Sequence, residues 1–178
     1  LVHLGAAGMT KMYGCDGANK AFQFDGTNYT EITTGMSVDT PKFLYAHKNH
    51  LFLAFDGSLQ HSPIGNPTGT WTPVYGAGEL AMGDTITGII GQPGDNTGGA
   101  LAIATRSKTW ILYGTSSANW QLVAYSNETG CLPYTMQSIG TTYMLDDQGV
   151  IGIGTSPNFG NFEHATISHI VRDRKSVV

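Results

Sequence analysis

Leu101–Tyr125, LAIATRSKTWILYGTSSANWQLVAY, decides the fold. Leu101 to Thr105 is a short apolar run, Ser107-Lys108 reads as a two-residue reversal, and Thr109 to Tyr113 returns. A polar Gly-Thr-Ser-Ser-Ala-Asn loop follows, and a third run begins on Trp120. Ile103, Thr109, Trp110, Ile111, Tyr113, Val123 and Tyr125 are β-branched or aromatic, the residues that suit a pleated, half-buried surface. Each run has about five residues, the length of a strand and too short for a helix. The stretch therefore predicts an antiparallel meander.

The same order of runs recurs along the whole chain. A first run stands at Leu1 to Ala7, Phe43 to Ala46, Ile86 to Ile90 and Met136 to Ile139, with starts 42, 43 and 50 residues apart. A second run is Lys11 to Cys15, Leu51 to Phe55, Leu101 to Thr105 and Thr142 to Asp146. Turns follow at Asp16-Gly17, Asp56-Gly57, Ser107-Lys108 and Asp147-Gln148-Gly149. Three of these carry Asp and Gly, which tolerate the positive φ of a tight hairpin. The third run is Ala21 to Asp25, Ser58 to Ser62, Thr109 to Tyr113 and Val150 to Gly154. The fourth is expected to open on an aromatic each time, at Tyr29, Trp71, Trp120 and Phe162, which lie 13, 15, 13 and 15 residues beyond the turn.

Four short antiparallel runs per unit, at this period, is the pattern of a β-propeller blade. The expected fold is all-β: four-stranded antiparallel blades at residues 1–42, 43–85 and 86–135, and a fourth with the start of a following segment at 136–178, forming part of a larger propeller. A sandwich or a solenoid is the competing architecture. The recurrent aromatics are expected to fill the wedge between blades. No stretch sustains an i, i+3, i+4 pattern, so helix should be nearly absent. Both ends, LVHLGAAG and SVV, are expected to be cuts through a longer polypeptide. The loops Ser62 to Gly69 and Gln92 to Gly99 are placed on blade faces, where partners usually bind.

Composition bounds the function. Among 178 residues only 12% are charged, against about 25% in an average soluble domain. That low charge fits protein–protein interfaces, and equally an uncharged β-protein surface. Nine Lys and Arg face 13 Asp and Glu, a net charge of −4, which argues against a groove that grips phosphates. The basic tail, Arg172, Arg174 and Lys175, is short. Cys15 and Cys131 are the only cysteines and are read as free thiols. No apolar run reaches the length of a membrane span, and no signal peptide shows.

Chemistry is sought and not found. There is no phosphate-binding glycine loop and no nucleophile elbow. His47 and His50 flank Lys48-Asn49 in a connection, without a third ligand nearby. His164 and His169 have no companions in spacing, and Asp146-Asp147 is turn chemistry without the alternating carboxylates of a calcium loop. Asp25-Gly-Thr-Asn-Tyr29 is only a partial echo of the aspartate box of sialidase-like propellers. No catalytic, cofactor or metal residues are assigned, and the chain is read as a non-enzyme.

The segments GDTITGII (83–90), LAIATRSKTWILYG (101–114), NWQLVAYSNETGCLP (119–133) and YMLDDQGVIGIG (143–154) resemble the β-propeller proteins of the tail nozzle or tail hub of tailed bacteriophages. The resemblance covers about Phe22 to Ile170. It implies a structural virion component in the phage tail, assembled in the host cytoplasm. It also implies copies of itself as partners, typically six in a ring around the DNA channel, with neighbouring tail, adaptor or portal proteins and tail fibres. DNA would pass through without specific binding. The alternative is a carbohydrate- or receptor-binding propeller module, in which Tyr29, Trp71 and Trp120 would stack on sugars; burial of Trp71 and Trp120 would remove that reading.

Overall fold

The computed structural model describes residues 2–4, 11–92, 99–155 and 162–166, with side chains for 11–92 and 99–153. The chain ends, most of the Gln92 to Gly99 loop, His169 and the basic tail lie outside the described residues, as does the side chain of Phe162. Among the described residues the protein is all-β: sixteen strands, one three-residue 3-10 turn at Pro73–Tyr75, and no α-helix.

The strands form four sheets of four, each an antiparallel meander with its strands hydrogen-bonded in chain order. The first contains β1 (Val2–Leu4), β2 (Lys11–Gly14), β3 (Phe22–Phe24) and β4 (Tyr29–Glu31). The second contains β5 (Phe43–His47), β6 (His50–Phe55), β7 (Ser58–His61) and β8 (Gly78–Ala81). The third contains β9 (Ile86–Gln92), β10 (Ala100–Thr105), β11 (Thr109–Tyr113) and β12 (Gln121–Ser126). The fourth contains β13 (Gln137–Ile139), β14 (Thr141–Asp146), β15 (Gly149–Thr155) and β16 (Phe162–Thr166). Each sheet is open, with its first and last strands as edges.

The chain divides into two compact units, Leu1–Ile86 and Thr87–Val178. In the first unit the core lies between two sheets. Tyr13 of β2, with Ala21 and Ile32, packs against Leu51, Leu53 and Phe55 of β6. These three share one face because side chains alternate along a strand. Phe52 and Ala54, on the opposite face of β6, are buried as well. A strand covered on both faces reads as a continuous apolar run, which is why Leu51 to Phe55 shows no alternation. In the second unit Ala100, Ala102 and Ala104 of β10 and Ile111 of β11 pack against Met144, Ile151 and Ile153 of β14 and β15, with Cys131 between.

The exits from the first three sheets repeat one device. The chain leaving each of them hydrogen-bonds to the reversal between that sheet's second and third strands. The Gly17 N–H donates to Pro41 O at 3.0 Å, Met82 N–H to Gly57 O at 2.9 Å, and Cys131 N–H to Thr105 O at 3.0 Å. The first and last of these linkers then join the second strand of the sheet they enter, through Lys42 N–H to Ala54 O at 2.9 Å and Leu132 N–H to Leu145 O at 2.8 Å. Each of the two is thus held by backbone hydrogen bonds on both sides. At the last junction the approach is so close that only glycine fits. A Cβ on Gly130 would collide with the backbone carbonyl of Arg106 and come within 2.7 Å of Ser107 N.

Four sequence expectations need correction. Trp71 does not open the fourth strand of its sheet. Pro73 is compatible with the first turn of a helix, so Pro73–Tyr75 coils into a 3-10 turn and β8 starts at Gly78. Trp120 lies one residue before β12. The reversal placed at Ser107-Lys108 centres on Arg106-Ser107, because Thr105 N–H donates to Lys108 O at 2.8 Å and so closes the turn around them. Finally, Asp16-Gly17 is not a tight hairpin: it opens a longer loop, since Gly14 pairs with Phe22.

Candidate functional site

Three clusters of polar and aromatic side chains stand out, two in the first unit and one in the second. The first is a pair of clefts that share Trp71. After β7 the loop carrying Pro63 and Pro67 is tied to the β5–β6 hairpin by Gly65 N–H donating to Asn49 O at 2.7 Å, and is closed on itself by Gly69 N–H donating to Asn66 O at 3.1 Å. The loop holds the indole by a hydrogen bond from Trp71 Nε1 to Pro67 O at 2.8 Å. The ring packs partly on the unit's core and remains half-buried. On one side a cleft of about 230 Å³ is lined by Trp71, Met36, Gln60, Pro73 and Glu79. On the other a shallower one of about 490 Å³ is lined by Trp71, Glu31, Thr33, Thr68 and Thr70. Thr34 and Gly35 belong to both walls. Thr34 is fixed by Asp39, which accepts its Oγ1 hydrogen at 2.7 Å and its backbone N–H at 2.9 Å.

The second cluster is built by strand register. His47 pairs with His50 across a two-residue hairpin whose Lys48 and Asn49 have φ of 48° and 61°, the left-handed pair that a tight hairpin demands. His61 pairs with Phe52, two residues from His50, so all three histidines share one face. The His50 and His61 rings meet edge-on at 5.2 Å. Both Nδ1 atoms reach Ser62 O, at 2.6 and 3.2 Å, and a carbonyl only accepts, so each ring carries its proton on Nδ1. All three side chains are buried. Burial, then the Lys48 and His50 charges, lower the His47 pKa to about 4. Burial also lowers that of His61, against the opposing pull of Ser62 O. Sequence spacing does not reveal His61, because only the β6–β7 register brings it to His50. Among the described residues no three His, Cys, Asp or Glu are placed to hold a metal ion.

The third cluster is a shallow surface groove in the second unit, lined by Arg106, Asn127, Glu128, Asp146, Asp147 and Gln148. Arg106 Nη2 donates to both oxygens of Asp147, at 2.9 and 3.0 Å, so the Asp146-Asp147 turn is engaged in joining two reversals.

The remaining residues singled out in the sequence disperse. Tyr29 is 58% exposed and stacks on Phe22 at 5.1 Å, so it fills no wedge between sheets. Trp120 is half-buried. Tyr29, Trp71 and Trp120 are therefore not equivalent, neither as packing residues nor as a row of ligand-stacking rings. Asp25 caps its own turn, accepting Thr27 N–H and Asn28 N–H at 2.9 and 2.7 Å. Asp16 does the same for Ala18 and Asn19 at 2.9 and 2.7 Å. The shared signal is in plain view as Asp-Gly-x-Asn at 16–19 and 25–28. Hydrogen bonding to Asn19 and Asn28 holds both carboxyls below their ordinary pKa. Cys15 and Cys131 are free thiols in different units; burial pushes Cys15 up to about 11 and raises Cys131 as well, so neither is a ready nucleophile. No helix among the described residues is long and apolar enough to cross a membrane. No family matches the chain, and neither a curated protein nor a solved structure does so.

Proposed function

We propose that the four meander sheets are blades of a β-propeller, and that the chain is a structural component of a tailed-phage tail nozzle or hub, working through its interfaces. One observation carries the architectural half of this reading. A backbone hydrogen bond between exit linker and reversal recurs at three successive linkers: Pro41 O accepts from Gly17 N–H, while Met82 N–H donates to Gly57 O and Cys131 N–H to Thr105 O. A chain that ties three successive exits to the sheets they leave is suited to radial repetition. The tail assignment rests on the resemblance, whose segments fall on β9 to β12 and on the β14–β15 hairpin.

In this reading copies of the protein form a ring, six by the resemblance, between adaptor or portal and the rest of the tail. DNA passes along its axis without being gripped, in keeping with the net charge of −4. The test is the assembly state of the full-length product, by light scattering on a sizing column and negative-stain microscopy. A sixfold ring with a central opening supports the proposal. A monomer that persists at the highest soluble concentration overturns it.

A further inference from the structure

The Trp71 clefts point to a ligand, independently of any ring. We infer that they form a subsite for a saccharide that carries no acid group, a neutral or amine-bearing pyranose chain. An aromatic ring fixed through its N–H offers its apolar surface to the C–H face of a sugar. Trp71 is held in that way by Pro67 O at 2.8 Å and lines both clefts. Around it stand hydrogen-bonding groups suited to hydroxyls: Thr33, Thr68 and Thr70 on one side, and Gln60 and Glu79 on the other. A concave wall with one aromatic platform and a few convergent polar groups is the usual make-up of a small-molecule site.

Two further features define the class of sugar. Among the described residues, the charged ones lining the clefts are Glu31 and Glu79, with no Lys or Arg. Lys20, whose Nζ donates to Thr33 Oγ1 at 3.2 Å and lies 3.9 Å from Glu31 Oε2, offsets the Glu31 charge, so the walls stay net negative through Glu79 and a uronate or sialate would be repelled there. The two clefts also share Thr34, Gly35 and Trp71 as walls, so they are close enough for successive rings of one chain to occupy both. Ser58 Oγ donates to Glu79 Oε1 at 2.6 Å, which leaves the other carboxylate oxygen to accept from a sugar hydroxyl.

The experiment is calorimetric titration of the protein with neutral hexasaccharides of the glucose, galactose, mannose and N-acetylglucosamine series, with chitosan oligomers, and with oligogalacturonate and sialyllactose as acidic counterparts. Binding to at least one acid-free series is expected, with quenching of tryptophan fluorescence. Trp71→Ala should weaken it at least about tenfold. Since Trp71 also touches the core, Thr70→Arg is the second variant: the side chain is exposed, so the fold is kept while the cleft is filled, and binding should fall by a similar factor. No binding to any acid-free sugar up to about 10 mM overturns the inference. So does tighter binding of the acidic sugars, or affinity that survives either substitution.

Discussion

Gly130→Ala tests the clamp between the third and fourth sheets. The added methyl would meet the backbone carbonyl of Arg106 and stand 2.7 Å from Ser107 N. Backbone atoms cannot rotate away as a side chain can, so the linker must move out by about 1 Å to restore ordinary contact. That displacement breaks the 3.0 Å hydrogen bond from Cys131 N–H to Thr105 O, between two residues that are fully buried. Overpacking costs about 1–3 kcal/mol, and orphaning a buried pair about 1–3 kcal/mol more. The expected loss is thus about 2–6 kcal/mol, or about 5–20 °C in the thermal midpoint. Gly140→Ala is the control: its φ is +76° with nothing within 4 Å of the new methyl, so it carries only the left-handed backbone cost of about 1–2 kcal/mol. Thermal melts by circular dichroism decide. If the two variants melt within about 2 °C of each other, close approach at Gly130 does not hold the junction and the reasoning fails.

The histidine face makes stability depend on acid. His47 has a folded pKa of about 4 against an unfolded value of about 6.5, so between those values the unfolded chain binds a proton that the folded one refuses. The contribution is complete above about pH 6.5 and is lost as pH falls towards 4, with a slope approaching about 1.4 kcal/mol per pH unit; His61 is shifted the same way. Urea midpoints measured across that window should fall, and His47→Leu should flatten the fall; an unchanged slope in the variant would refute the assignment to His47. Asp16 and Asp25, shifted downward, lose their contributions only at lower pH and do not mask the effect. Trp120→Ala, at a half-buried ring, should cost about 2 kcal/mol, below the roughly 3–5 kcal/mol of a fully buried tryptophan; a chemical melt showing the full figure would mean that the ring is part of the core.

Most of the strand order is legible because it is written in local signals. Leu51 to Phe55 and Leu101 to Thr105 are apolar runs of strand length, and β6 and β10 contain them. The start of β8 is not, because the aromatic marker at Trp71 competes with Pro73, whose fixed φ favours the 3-10 turn and delays the strand to Gly78. Wedge-filling by Tyr29 fails since β4 is a three-residue edge strand with every residue exposed. His47, His50 and Trp71 are visible in the sequence, but the third histidine and the walls of the Trp71 clefts are not. The first depends on the register that sets His61 opposite Phe52. The second depends on a loop folding back so that Thr68 and Thr70 stand near Glu31 and Thr33. Neither of these two placements leaves a trace in spacing.

The clamps have a consequence for how the chain comes together. Gly17 and Pro41, Gly57 and Met82, and Thr105 and Cys131 are each separated by roughly 25 residues, a short loop to close. Contacts between near neighbours in sequence form early and fast. On a ribosome, each sheet can therefore be latched as soon as the next linker has emerged, before any distant part of the chain exists. The order in which the latches close is then set by the direction of synthesis.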